Sequence, residues 1–195
     1  MEKTVRIPMF PLAILPIPGE LVPLHIFEPR YRQLLQDLES SDVPFGIYCS
    51  HEVNTLKVGS LMRLESVIKR YPGGESDIVV KCLDNFTLDK MFRTFQEKLY
   101  PGGDVSFWKT DISLSPGQPL YQLFLEYLRA RNINQQLSKF SLYQVANELA
   151  LDISERYKFL FSSSSQKRSF LISRIRFLMY VLKQEDVSKD IFHLN

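Results

Sequence analysis

The sequence predicts an α+β chain: a nearly closed antiparallel β-barrel interrupted by one helix, followed by a bundle of about four helices. Three observations carry that prediction. Apolar segments of strand length recur between proline- and glycine-rich turns as far as Leu114. One stretch among them changes to three- and four-residue apolar spacing. Beyond Ser115-Pro116-Gly117 the helical spacing takes over. The expected organisation is a barrel over residues 1–116 and a helical part over residues 117–195. A chain of 195 residues is long enough to bury a core, and 45% hydrophobic with 24% charged residues excludes a disordered polymer.

The elements follow in order. Val5 to Leu12 is extended, because prolines at 8 and 11 push their preceding residues out of the helical region. Pro16, Pro18 and Gly19 make a turn. Leu21 to Phe27 is a second extended run, and its Pro23 must lie at an edge, an end or a bulge, since proline cannot donate to a ladder. Glu28 to Glu39 is the helix: Pro29 suits the first helical position, and Tyr31, Leu34, Leu35 and Leu38 share one face. Strands are then expected at Phe45–Cys49, Val58–Arg70, Ile78–Leu83, Phe86–Tyr100 and Val105–Leu114. Turns are expected at Pro72-Gly73-Gly74 and Pro101-Gly102-Gly103.

In the second part, Pro119 opens a helix with Leu120, Phe124, Tyr127 and Leu128 on one side. Ser141 with Gln144, and Asp152 with Glu155, read as two capping boxes. Ser162 to Ser165 form a link. A last helix is expected from about Gln166 to Gln184, with Leu171, Ile175, Leu178 and Leu182 as its packing stripe.

Charge and cysteine content narrow the function. Residues 1–117 hold 13 Lys/Arg against 15 Asp/Glu, and residues 118–195 hold 11 against 7, so no global field draws the chain to nucleic acid. Cys49 and Cys82 sit in strand-like apolar segments without a CxxC spacing, and read as buried small hydrophobes. No secretory signal opens the chain, and the apolar run Phe170–Leu182 is too short and too charged to span a bilayer; the expected location is cytoplasmic.

The most specific stretch is Ile7-Pro8-Met9-Phe10-Pro11-Leu12, then Pro16 and Gly19, then Pro23-Leu24-His25-Ile26-Phe27-Glu28-Pro29-Arg30-Tyr31. It resembles the opening of the Lon protease N-terminal (substrate-binding) domain family. Pro44-Phe45-Gly46-Ile47, Gly59 and Asp77-Ile78-Val79-Val80 fit the same pattern more loosely. Cys82 stands where that family often has glycine, and Asn85 where it often has arginine. The resemblance implies a PUA-like pseudo-barrel plus a helical tail, together one Lon N-terminal-type unit. It also implies a role in recognising unfolded or tagged protein substrates, and support for oligomer assembly. It implies no catalysis.

Neither Gly73-Gly74 nor Gly102-Gly103 is followed by Lys-Ser or Lys-Thr, so these residues hold no phosphate-binding P-loop. The expectation is a stand-alone member of the family, without ATPase or protease parts. It would act alone, as an adaptor or beside a separate protease.

The candidate partner-binding residues are His25, Phe27, Glu28, Arg30, Phe92, Phe95 and Trp108. His25 reads first as a partly buried histidine ordering the strand-to-helix corner. Glu28 reads as favouring the positive helix N-terminus, with Arg30 pairing a nearby carboxylate. The functional alternative is that these residues line a groove for a partner chain. Exposed rings among Phe92, Phe95, Tyr100 and Trp108, beside an open strand edge, would suit an extended polypeptide. In such a module exposed aromatics carry capture and surface charge matters little. No catalytic, metal or cofactor site is expected: His51 lies in a polar loop, His193 near the end, and no cluster has ligand spacing. The competing class is an RNA-binding PUA-like protein using Lys167, Arg168, Arg174 and Arg176 of the last helix.

Overall fold

A computed structural model describes residues 4–133 and 139–192, with side chains up to residue 184. Six strands and one helix come first: β1 (Val5–Leu12), β2 (Leu21–Ile26), α1 (Pro29–Ser41), β3 (Phe45–Cys49), β4 (Val58–Arg70), β5 (Ser76–Phe92) and β6 (Gly102–Phe107). Four helices follow: α2 (Gln118–Ala130), α3 (Leu142–Glu148), α4 (Ile153–Phe161) and α5 (Ser164–Phe192). The chain divides into two compact units, one of residues 1–112 with 152–157, the other of residues 113–151 with 158–195.

In the first unit the sheet order is β2-β5-β4-β3-β1-β6, and β5 also pairs with β6. Five strands therefore close into a ring, and β2 is left outside it with β5 as its one partner. That is where Pro23 is tolerated: an edge strand does not need its N–H in a second ladder. Every pairing is antiparallel but one. β1 and β3 run parallel, Met9 opposite Gly46 and Leu12 opposite Cys49, because the chain crosses through β2 and α1 before it returns.

Two other expectations are corrected. The segments expected as separate strands at Ile78–Leu83 and Phe86–Tyr100 form one continuous strand that ends at Phe92. A register shift absorbs the irregularity: Leu61 pairs with Asp84 but Met62 with Cys82. Gly102 and Gly103 are not the turn. They open β6, paired with Phe92 and Met91 on one side and with Pro8 and Ile7 on the other. A Cβ on Gly103 would stand 2.5 Å from Met9 Cε and 2.8 Å from Leu88 Cδ1, so the glycine is there for close packing. β6 accordingly ends at Phe107 rather than Leu114.

Two apolar clusters fill this unit. α1 lays Tyr31, Leu34, Leu35 and Leu38 against Phe10, Phe45, Ile47 and Val80. Ile7, Met9, Phe86, Leu88 and Val105 form the other cluster. Asn85, where the resembled family often has arginine, is fully buried. Its Nδ2 donates to Pro16 O at 3.1 Å and to Ser60 Oγ at 3.1 Å, and Ser60 Oγ donates to Pro16 O at 2.6 Å. Asn85 and Ser60 thus tie the Pro-Gly turn to the ring. Cys82 lies beside them, its thiol pushed up by burial. Cys49 and Cys82 are both buried.

In the second unit α2 buries Leu120, Phe124, Tyr127 and Leu128. Both expected capping boxes form. Ser141 Oγ accepts from Gln144 N while Gln144 Oε1 accepts from Ser141 N. The other, in the 152–157 segment that belongs to the first unit, has Asp152 N donating to Glu155 Oε2 at 2.9 Å and Glu155 N to Asp152 Oδ1 at 2.8 Å. The serine link is shorter than expected, because Ser163 caps α5 in the same reciprocal way with Gln166. α5 runs on to Phe192, past the expected end, with Leu171 and Ile175 fully buried.

Candidate protein-interaction surface

β2 alternates strictly. Val22, Leu24 and Ile26 turn inward, while Leu21, Pro23 and His25 are exposed, and Phe27 continues the exposed row. Leu21 is 56% and Phe27 57% exposed. An edge strand with unpaired main chain and a row of exposed apolar side chains is what strand addition requires. The inner residues border a cleft of about 330 Å³ that Phe10, Leu24, His25, Phe27, Glu28 and Tyr31 help to line.

His25 is more open than a partly buried corner histidine, with about half its side chain exposed. Its register partner is Asp77 on β5. His25 Nδ1 lies 2.6 Å from Asp77 Oδ1, and the Tyr71 hydroxyl donates to Asp77 Oδ2 at 2.6 Å. The Tyr71 and His25 bonds hold the Asp77 carboxyl below the usual range, and the same bond to Asp77 raises the Tyr71 phenol. The His25 ring stacks 6.0 Å from Phe27 and meets Tyr71 edge-on at 5.8 Å, and Lys69 Nζ sits 4.4 Å over the Tyr71 ring.

Glu28 is the N-cap of α1 without a side-chain cap. Its backbone carbonyl accepts from Tyr31 N and Arg32 N, and its carboxylate accepts from Arg30 Nε at 2.9 Å and Nη2 at 2.8 Å. The Arg30 guanidinium covers the Tyr31 ring at 4.6 Å. The sequence therefore placed both charges at the helix start, and the structure joins them to each other.

The other candidate residues are not gathered here. Phe92 is half-buried under the Arg6 guanidinium, 4.1 Å away. Phe95 stacks on Tyr100, which is buried. Trp108 Nε1 donates to Thr87 Oγ1 at 2.9 Å. Phe92 pairs with Gly102 and Phe86 with Phe107, so Phe92 and Trp108 lie at opposite ends of the β5–β6 ladder. Phe95 instead borders a second cleft of about 560 Å³, next to Tyr100, Asp37 and Lys98. Burial pushes the Asp37 carboxyl up, but bonds from Tyr100 at 2.7 Å and Lys98 at 3.0 Å outweigh it and hold the group low. Of the basic residues on the last helix, Lys167 packs over Tyr143 and Phe159, and Arg168 bonds the Ser115 carbonyl at 2.8 Å. His51 accepts from Val53 N, and His193 lies outside the described residues. Among the described residues no group of three potential ligands converges on a metal position, and no helix is long and apolar enough to cross a membrane.

Sequence reasoning missed Leu21, Tyr71 and Asp77. The first reads as an ordinary strand residue, and the others meet His25 only through the register of β2 on β5.

The family model described as the ATP-dependent protease La (LON) substrate-binding domain matches residues 6–175. A crystal structure of a Lon N-terminal domain protein from Xanthomonas campestris is 20% identical, with a TM-score of 0.66 over 87% of this chain and 98% of that one. The N-terminal domain of the Mycobacterium avium complex Lon protease is 14% identical, with a TM-score of 0.49 over 92% of this chain and 98% of that one. No curated protein matches the sequence. With the family model spanning nearly the whole chain, the protein belongs to the Lon substrate-binding domain family.

Proposed function

We propose that this chain is a non-catalytic protein-recognition module that takes extended segments of unfolded polypeptide along the free edge of β2. The observation that carries the reading is the exposed row Leu21, Pro23, His25 and Phe27 on a strand with one neighbour. Main-chain bonds to the edge supply affinity without sequence preference. The exposed side chains and the cleft beneath them supply loose selectivity. Glu28 and Arg30, paired to each other, frame the end of the groove. The family's substrate-binding role supports the same assignment. Lys167 and Arg168 offer less to nucleic acid than their sequence promises, since both are engaged within the helical unit.

The test is fluorescence anisotropy of a labelled, permanently unfolded protein titrated with this chain, against a folded control. Saturable binding of the unfolded form alone is expected. Phe27→Ala and Leu21→Asp should each weaken it about tenfold or more while leaving stability within about 0.5 kcal/mol, as for other exposed positions. Equal binding by wild type and both variants would remove β2 from the role.

A further inference from the structure

The outer face of β4, β5 and β2 carries an arrangement that packing does not explain. Register pairs Arg63 with Lys81 and Lys81 with Leu21 in one row, Ser66 with Val79 and Val79 with Pro23 in the next, and Lys69 with Asp77 and Asp77 with His25 in the third. Paired residues share a face, and the inner face here is taken by Met62, Ile78 and Val80, which are buried. In the third row the charges are matched: Asp77 is bonded by His25 and Tyr71. In the first row they are not. Two cations stand directly opposite each other, and among the described residues neither side chain has a hydrogen-bond or ion-pair partner. Like charges at cross-strand positions, about 5 Å apart at Cβ, destabilise a sheet. A local conflict of this kind, on the face that leads to the free edge of β2, is of the sort found at functional sites, and its positive charge is complementary to an anionic ligand.

We propose that the polypeptides taken at β2 are acidic: an added strand sets its carboxylate side chains on the outer face, toward Lys81 with Arg63 behind it, and its apolar side chains on the inner face, beside Leu24 and Ile26. The inference rests on strand capture at β2 and names the substrate class. The spacing allows it. A strand added beside β2 lies two strand separations, about 10 Å, from β5. A lysine and a glutamate side chain span that gap together. The charge complement also selects against basic segments, which would add a third cation to the row. Read without its pairings, the sequence gives surface charge no such part, because Arg63 and Lys81 are distant in the chain.

The experiment uses labelled peptides of one β-prone apolar sequence carrying Glu, Gln or Lys at alternate positions, titrated with the whole chain at low and physiological salt. The Glu peptide should bind about tenfold more tightly than the Lys peptide, with the margin shrinking as salt rises. R63E and K81E should each erase or invert that order. Each should also raise the Tm, because each replaces a like-charge pair by an opposite one; a variant that merely misfolds would lower it. Equal binding of all three peptides overturns the charge assignment while leaving strand capture at β2 standing. Binding of none of them overturns both. Failure of R63E and K81E to change the order also overturns the proposal. So does a single-stranded oligouridylate that binds through Arg63 and Lys81 when the Glu peptide does not.

Discussion

At the residue scale, single side chains hold the candidate surface in place, and their contributions separate cleanly. Asp77 accepts from Tyr71 and contacts His25, so its carboxyl titrates lower in the folded chain than in the unfolded one. A depressed carboxyl stabilises the fold above its unfolded value and loses that contribution as pH falls through its folded value. The Tm difference between wild type and Asp77→Asn should therefore be present at pH 6, shrink below about pH 4 and vanish once the native carboxyl is protonated. A difference that stays constant down to pH 2 would contradict the assignment. Gly59 makes a second residue-scale case. A Cβ there would stand 2.3 Å from the Phe86 ring and 2.7 Å from the Ile47 carbonyl oxygen. Gly59→Ala should cost about 1–3 kcal/mol in urea denaturation, since the backbone as well as the ring must give way.

At the element scale, the helices are set by their ends and the barrel strands by their neighbours. Ser141 caps α3, a helix of 7 residues that has few other bonds to spare. Ser141→Ala should lower stability by about 1 kcal/mol, and hydrogen exchange should show the loss at the Gln144 amide first. β2 behaves differently. It has one partner strand, so its hydrogen exchange should be among the fastest of the six strands in the free protein, and should slow when an unfolded chain binds. The capping boxes were legible as Ser141/Gln144 and Asp152/Glu155 because capping spans three residues. The end of β5 was not legible, because Phe92 stops pairing only where β6 begins, and Gly102 looks locally like a turn residue.

At the scale of the whole molecule, capture of a ligand by the native chain alone must appear as stabilisation. An unfolded polypeptide at one hundred times its Kd should raise stability by about 2.7 kcal/mol, read as a concentration-dependent Tm. A folded protein of the same size should leave the Tm unchanged. The molecule contains two compact units of different construction. The candidate surface belongs wholly to the first, in which five strands close and a sixth remains outside. Ring closure leaves some one-sided stretches, such as Arg63–Arg70 of β4, which pairs with β5 alone, and β2 has a single neighbour along its whole length.

The sequence by itself determined the α+β class, the core face of α1 and both capping boxes, and it confined Pro23 to an edge, an end or a bulge, of which the structure chose the edge. It also determined the family, through the run from Ile7 to Tyr31. Each of these depends on local chemistry: dihedral limits of proline, three-residue caps, helical spacing. Tertiary structure alone decided that β1 and β3 run parallel and that Gly102 and Gly103 serve packing. It alone put Asp77 and Tyr71 on His25 and set Arg63 opposite Lys81. Those facts depend on strand register between residues far apart in the chain, where a shift of one position turns every side chain to the other face.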